Sequence, residues 1–128
     1  MAPRSVVDSF WTAMRANDWD AAAAHFADGF VVDWPCSGER FTSREAYAEV
    51  QRRYPSAGRW TFAIHSLVAD DDRAVTELTA SDGDVSARAI FISEVKSDRI
   101  VRQLEYWPEA YEPPAWRGGL TERIDPIP

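Results

Sequence analysis

The sequence predicts an α+β fold in which helices come first and an antiparallel sheet follows. In residues 3 to 16, apolar side chains recur at spacings of three and four, which indicates one buried helix face. From residue 59 to residue 107, runs with period-two alternation are separated by short turns, which indicates consecutive strands. We expect the sheet to curve around three N-terminal helices as a cone and to leave an internal pocket at its open end.

The first half of the chain is predicted to contain three helices and one short strand. The helix that begins near Pro3 ends at Asn17-Asp18, which can cap the next helix. The motif Thr42-Ser-Arg-Glu45 fits a capping box and predicts the start of the third helix. The predicted elements are helices over 3–16, 19–26 and 42–53, a strand over 30–34 and a loop over 36–39.

The second half is predicted to form a four-strand meander followed by an irregular tail. Asp82-Gly83 is a strong hairpin signal, and Asp70-Asp71-Asp72 indicates a turn more than a metal site. The predicted strands cover 59–69, 73–80, 85–95 and 99–107. Residues 1–128 form one predicted domain, with a core of about 4–112 and a proline-rich tail of about 109–128.

Composition excludes several classes of partner. The 128 residues carry a formal net charge of -7, which argues against nucleic acid or an anionic membrane surface. Cys36 is the single cysteine and there are two histidines without ligand spacing, so we expect no disulfide, no metal and no cofactor. No apolar run has the length of a signal peptide or a membrane span, so a cytoplasmic location is expected.

The last predicted strand, 99–107, poses the main functional question. Strict alternation groups Ile100, Arg102, Leu104 and Tyr106 on one face and Val101, Gln103, Glu105 and Trp107 on the other. If the second face lines a pocket, Glu105 is a carboxylate in apolar surroundings that can carry out proton chemistry. The apolar residues of the first face favour the opposite arrangement, in which Glu105 is a surface acid. Alternation alone leaves both open.

Three short motifs resemble the SnoaL-like and ketosteroid-isomerase-like members of the nuclear-transport-factor-2-like superfamily. They are Phe26-Ala-Asp-Gly-Phe-Val-Val-Asp-Trp-Pro35, Ser43-Arg-Glu45, and Arg99-Ile-Val together with Glu105-Tyr-Trp107. The resemblance covers residues 4 to about 112. It implies the cystatin-like α+β cone with a deep ligand-binding pocket, and a homodimer that pairs through the outer face of the sheet.

The resemblance also argues against the conventional ketosteroid isomerase mechanism. The position of that family's general-base aspartate is Trp34 here, and Asp33 should face the other side of the strand. The positions of its tyrosine and protonated aspartate correspond to Phe10 and Ile90. All three functional positions are therefore apolar, and isomerisation by those residues is excluded.

The same resemblance implies the site residues of a different pocket. It places Gln103, Glu105 and Trp107 on the cavity side, with Arg88 and Ile90 inward on the preceding strand and Glu77 on the strand before. Glu105 is the expected general base, as in polyketide cyclase-like relatives, with Arg88 and Glu77 as its catalytic partners. An Arg–Glu pair that only shapes the pocket is the alternative. Limonene epoxide hydrolase is also similar, but its middle acid would be Ile90, which makes that activity less expected.

The expected function is a cofactor-independent enzyme that removes a proton from a small, largely apolar carbonyl or polycyclic molecule, as an isomerase or cyclase does. Gln51 and Tyr54 share a face of the third helix and could donate to developing oxyanion charge. The expected substrate-binding residues are Trp34, Tyr54, Gln51, Trp60, Ile90, Gln103, Trp107 and Phe10. A non-catalytic binder of small molecules and a protein-interaction module are the alternatives.

The remaining expectations concern the outer surface. Ala63 and Leu67 are expected to face outward and to contribute to the dimer, and His65 is expected on that same face. Tyr47 is interpreted as an ordinary core residue. The sequence leaves open whether Trp116 in the tail covers the pocket or binds a partner subunit.

Overall fold

A computed structural model of the protein describes residues 2–128 and confirms the α+β architecture. The helices are α1 (Pro3–Arg15), α2 (Trp19–Ala23) and α3 (Arg44–Arg53). The strands are β1 (Phe26–Trp34), β2 (Glu39–Phe41), β3 (Thr61–Ala69), β4 (Arg73–Ser81), β5 (Ser86–Lys96) and β6 (Arg99–Tyr106). The tail contains one short 3-10 turn, Ala115–Arg117.

The six strands form one curved, unclosed sheet in the order β2-β1-β6-β5-β4-β3. The meander from β3 to β6 is antiparallel, as expected, but β1 pairs with β6 in parallel. The segment expected to be a loop after Pro35 is a tight hairpin instead, because β2 returns to pair with the end of β1. The sheet is therefore mixed, and β6 lies at its centre.

Helix α1 covers the inner face of the sheet with the apolar stripe that its periodicity predicted. Phe10 and Trp11 are each 1% exposed, and the Trp11 ring lies 5.0 Å from the Phe91 ring of β5. Helix α2 ends at Ala23, earlier than expected, because Phe26 already belongs to β1. The aromatic core between α1 and the sheet therefore forms one wall of the internal space at the open end of the cone.

Helix α3 begins one residue later than the capping box suggested. The cap is Ser43, whose hydroxyl accepts a hydrogen bond from the backbone N–H of Ala46 at 3.0 Å. The helix ends at Arg53 as expected, because Tyr54, which precedes Pro55, is extended. This placement brings one face of α3 over the carboxyl-terminal half of β6.

Two β-bulges interrupt the strict alternation on which face assignments depend. Val95 of β5 pairs with Ile100 and Glu94 pairs with Arg102, so Val101 is an extra residue in β6. Ile100, Gln103 and Glu105 are consequently all buried on the inner face, although one is even-numbered and two are odd-numbered. Ile100 therefore faces inward, as in the first arrangement that alternation offered, and Gln103 and Glu105 face inward as in the second.

The second bulge is in β3 and corrects the expectation for Leu67. Ile64 pairs with Leu78 and Ser66 pairs with Glu77, so His65 is the extra residue. Beyond it Leu67 packs against the core instead of facing outward. His65 lies on the outer face as expected, where its Nε2 atom is 2.7 Å from Thr79 Oγ1.

Two further features concern the surface. Asp70 Oδ1 accepts hydrogen bonds from the backbone N–H groups of Asp72 and Arg73, which confirms a turn at that place. Among residues 2–128 there is no helix long and apolar enough to cross a membrane.

Candidate functional site

The open end of the cone contains a cavity of about 530 Å³ between the helices and the inner face of the sheet. Six aromatic residues line it, together with three carboxylates and few other polar groups. The lining residues are Met14, Trp19, Trp34, Cys36, Ser37, Glu39, Gln51, Tyr54, Trp60, Phe62, Ala80, Ala87, Glu105, Trp107 and Glu109. This is the size and character of a small-molecule site.

Glu105 is the buried carboxylate of this cavity. It is 1% exposed, and β6 directs it to the inner face because Phe91, its partner across the strand pair, also faces inward. Its Oε1 atom accepts a hydrogen bond from the Trp34 indole at 3.0 Å. Its Oε2 atom accepts from the Tyr47 hydroxyl at 2.8 Å. These two donors come from β1 and α3, so the carboxylate of β6 joins three elements of the fold.

Gln103 of β6 is a third donor to Glu105, and a further hydrogen bond fixes its orientation. Gln103 donates through Nε2 to Glu105 Oε2 at 2.8 Å, and its Oε1 atom accepts from the Ser93 hydroxyl at 2.7 Å. Because Ser93 donates to the amide oxygen, the amide nitrogen must face the carboxylate. The arrangement presents donors to Glu105 and no acceptors, which suits its ionised form.

Burial and hydrogen bonding act on the pKa of Glu105 in opposite directions. Burial is the larger effect and raises the pKa above its ordinary value, while the donors of Gln103, Tyr47, Trp34 and Trp107 lower it in part. Burial, with the nearby negative charge of Glu105, also raises the pKa of Tyr47 well above its ordinary value. Tyr47 therefore remains a hydroxyl donor, and Glu105 holds a proton more readily than an exposed carboxylate does.

Trp107 occupies an unusual place beside this carboxylate. Its indole nitrogen is buried and makes no hydrogen bond of good geometry within the described chain, although its proximity lowers the pKa of Glu105. Its ring packs edge-on against Phe91 at 5.8 Å. Trp107 is therefore a wall of the cavity whose buried N–H lies beside the carboxylate.

Most of the expected ligand-contacting residues do line the cavity. Trp34, Trp60 and Trp107 form walls, and Gln51 and Tyr54 extend from α3 and its carboxyl end. Asp33 faces the opposite side of β1, as strand alternation predicted, and pairs there with Arg40 at 2.6 Å. The place of the family's general-base aspartate is thus occupied by an indole that hydrogen-bonds the actual buried acid.

The expectation that Arg88, Glu77 and Ile90 face inward is wrong. Phe91 pairs with Glu105 on the inner face, so the alternate residues of β5 must face outward. Arg88 lies on the outer face and binds Glu77 there at 2.7 Å, and Ile90 is 41% exposed. Arg88 is therefore not the electrostatic partner of Glu105.

Two further expectations need correction, because neither Gln103 nor Phe10 is among the cavity-lining residues. Gln103 is fully buried behind the carboxylate and positions Glu105. Phe10 packs within the core against Phe26 at 5.8 Å, one helical turn before Met14, which does reach the cavity.

The sequence predicted Trp34 and Gln103 as site residues, but not that Tyr47 donates to Glu105 or that Ser93 holds Gln103. Tyr47 shares the helix face of Gln51 and Tyr54, and that spacing was the signal available for it. Ser93 gave no signal, because a serine in a strand is ordinary. Trp19, Glu39 and Glu109 are lining residues that no motif marked. Trp116, considered as a cover for the pocket, is 72% exposed and lies outside its lining.

The arrangement contains a buried carboxylate and, among the described residues, no metal ligand set. Within the described part of the chain, no three His, Cys, Asp or Glu side chains are grouped so that they could hold a metal ion. Chemically, the cavity combines a buried carboxylate of raised pKa, neutral donors that hold it, and apolar rings that exclude water.

Solved structures with the same architecture are numerous. A "putative ketosteroid isomerase" from Kribbella flavida DSM 17836 is 29% identical, with a TM-score of 0.84 over 96% of this chain and 90% of that one. An NTF-2-like protein of unknown function from Burkholderia xenovorans LB400 is 26% identical, with a TM-score of 0.73 over 95% of this chain and 94% of that one. A "putative polyketide cyclase" from Xanthomonas campestris pv. campestris has the same fold at 21% identity, with a TM-score of 0.66 over 83% of this chain and 90% of that one.

No curated protein matches the sequence. The model of the SnoaL-like domain matches residues 7–103, which include most of α1, all of α2 and α3, β1 to β5 and the first part of β6. The cone-shaped sheet, the internal cavity and this match together show that the chain belongs to the SnoaL-like domain family.

Proposed function

We propose that the protein is a cofactor-independent enzyme that removes a proton from a carbon next to a carbonyl group in a small, largely apolar molecule. The single observation that carries this proposal is Glu105. It is a buried carboxylate at a cavity wall, and burial raises its pKa. Burial makes this carboxylate a stronger base than an exposed one, and a stronger base held against a substrate removes a carbon-bound proton faster.

The cavity supplies the other requirements of such a reaction through neutral groups. Trp34, Trp60 and Trp107 provide apolar walls that exclude water from the reacting carbon. Gln51 and Tyr54 line the same space and are the available donors to the oxygen on which charge develops. Tyr47 and Gln103 act through Glu105 and are positioning residues.

The names of two structural neighbours agree in kind with this proposal. One is described as a putative ketosteroid isomerase and the other as a putative polyketide cyclase, and both names refer to enzymes that act on carbonyl compounds. For this chain the positions of the conventional isomerase acids are Trp34, Phe10 and Ile90, so the base we propose is a different one.

Solvent deuterium exchange tests the proposal without knowledge of the natural substrate. A panel of cyclic ketones and diketones is incubated in D₂O with the protein, and incorporation at the α-carbon is followed by mass spectrometry. The wild-type protein should accelerate exchange of at least one compound. Glu105→Gln should lower that rate by about 100-fold or more, since general-base catalysis contributes about that factor. Glu94→Gln, on the outer face of β5, is the matched control and should exchange like the wild type.

A non-catalytic binder is the second candidate, and one observation favours it. Glu105 already accepts three hydrogen bonds, which leaves one lone pair of Oε1 for a substrate. A protein that binds members of the panel but exchanges none of their protons would be a binder. Exchange that survives Glu105→Gln would contradict the proposed base.

A further inference from the structure

The charges of the cavity are all of one sign. Glu39, Glu105 and Glu109 are lining residues, and none of the described lining residues is Lys, Arg or His. Glu39 and Glu109 are exposed and Glu105 is buried, so negative charge extends from the mouth to the interior. A site for an anionic ligand would need the opposite arrangement.

The cationic side chains nearest in the sequence to the lining residues are engaged elsewhere. Arg52 and Arg53 both bind Glu49 at 2.8 Å, on the outward side of α3. Arg15 donates to the backbone oxygen of Phe62 at 3.4 Å, and Arg59 donates to the backbone oxygen of Arg15 at 3.1 Å. Arg15 and Arg59 keep their charge but do not line the cavity, so no cationic side chain is among the residues that line it beside the carboxylates.

The aromatic walls are arranged so that a cation can contact more than one ring. Tyr54 and Trp60 have ring centroids 6.0 Å apart and an angle of 80° between their planes, which forms a corner. Trp19 and Phe62 form a second corner at 6.2 Å and 87°. All four residues line the cavity. The faces of such rings attract ammonium groups, and most strongly where water is excluded.

We infer that the ligand of this cavity carries a positively charged nitrogen, as a protonated or quaternary amine attached to a small apolar body. The aromatic corners near the mouth hold the ammonium group, and the carboxylates of Glu39, Glu105 and Glu109 provide its counter-charge. This inference names the substrate class of the same site and so rests on the proposed function. An ammonium group in the substrate would also offset the negative charge that forms on its carbonyl oxygen, for which the cavity offers only neutral donors.

The test compares two probes that differ in one atom. 3-Hydroxyphenyltrimethylammonium and 3-tert-butylphenol have the same shape, and only the first is charged. Affinities are measured by calorimetry and by quenching of tryptophan fluorescence at low ionic strength. Apolar transfer alone favours the neutral probe. We expect instead that the cation binds about tenfold more tightly or better.

Variants locate the origin of that preference. Glu105→Gln should weaken binding of the cation by about tenfold and change binding of the neutral probe by less than about twofold. The double variant Glu39→Gln/Glu109→Gln changes exposed residues only, so it retains the fold. It should weaken binding of the cation by about two- to fivefold, and added salt should remove this difference in affinity. Glu94→Gln should change neither affinity.

Equal or tighter binding of 3-tert-butylphenol would overturn the inference, as would the absence of binding by both probes. If Glu105→Gln does not fold, the double variant decides the matter, and an unchanged cation affinity there would overturn the inference.

Failure of the proposed function is a separate result. Deuterium exchange of neutral ketones can depend on Glu105 whether or not the cavity prefers a cation, and a preference for the cation can exist without any exchange.

Discussion

On the inner face of the sheet, Glu105 is 1% exposed and all its hydrogen-bond partners are neutral, whereas on the outer face Glu77 lies 2.7 Å from the guanidinium of Arg88. Both acids belong to strands of the same sheet. The outer acid has a charge partner and solvent, and its side chain is 40% exposed. The inner acid has neither. The comparison teaches that the side of the sheet decides whether a carboxylate is a paired surface ion or a buried acid held only by neutral donors.

The largest expected difference between the two faces concerns packing at neighbouring residues of β5. Phe91 is 1% exposed among aromatic rings, and Ile90 is 41% exposed on the other side. Phe91→Ala should lower the free energy of unfolding by about 3–5 kcal/mol through lost burial and a cavity. Ile90→Ala should lower it by less than about 1 kcal/mol. Urea denaturation of both variants measures the difference, and equal losses would contradict the face assignment.

A smaller difference is expected when each acid loses its partner. Tyr47→Phe removes a buried donor to Glu105 and should lower the free energy of unfolding by about 1.5–3 kcal/mol. Arg88→Gln opens a partly exposed ion pair and should lower it by less than about 1 kcal/mol. Denaturation at neutral pH checks both values. A larger loss from Arg88→Gln would mean that the outer pair, not the inner network, is the more important one for stability.

The pH dependence of stability should have opposite signs at two acids. The pKa of Glu105 is raised above 4.5 by burial, so the folded state retains its proton longer than the unfolded state does. Its contribution to the free energy of unfolding therefore decreases as pH rises from 4.5 through the raised pKa. The pKa of Asp33 is lowered below 3.8, mainly by its hydrogen bond from Arg40, so its contribution is present above 3.8 and is lost as pH falls through the lowered pKa.

Two variants separate these contributions. Glu105→Gln should remove the decrease above pH 4.5 and leave the acid limb unchanged. Asp33→Asn should change the acid limb alone. Denaturant midpoints measured across the pH range provide the readout, and an unaltered profile for Glu105→Gln would show that Glu105 does not titrate in this range.

The smallest effect is expected at the outer face, which the family resemblance implies is the dimer interface. Ile90 and Tyr106 are partners across the pair β5–β6 and are 41% and 37% exposed. The wild-type protein should sediment as two chains at micromolar concentration, and Ile90→Lys should shift the equilibrium toward one chain. A wild-type protein that sediments as one chain would contradict this prediction.

The elements of the fold were predictable because their signals are local. The spacing of Val6, Phe10 and Met14 identifies α1, and Asp82-Gly83 marks a hairpin whatever else surrounds it. Face assignment in the sheet was not predictable in the same way. A bulge is set by pairing with a neighbouring strand, so neither Val101 nor His65 is recognisable as an extra residue in its own strand.

The candidate site shows the same limit. Glu105 could be found, because an acid beside aromatic residues in a strand suggests a buried base. Its partners could not be assigned, because Tyr47 and Ser93 come from other elements and their contacts exist only in the folded chain. Arg88 was assigned wrongly because the residues that pair with β6 depend on the register of β5. The family resemblance thus placed Glu105 on the correct face of the sheet and placed Arg88 and its partner Glu77 on the wrong one.

The parallel pairing of β1 with β6 has a consequence for how the chain reaches its folded state. Phe26 pairs with Ile100, so more than half the chain separates two adjacent strands at the centre of the sheet. During synthesis, the edge of β1 that does not pair with β2 has no partner strand until β6 has left the ribosome. Contacts between such distant segments slow folding and expose strand edges to association with other chains. We therefore expect the aromatic cavity and its acid to form late, in the same step that completes the sheet.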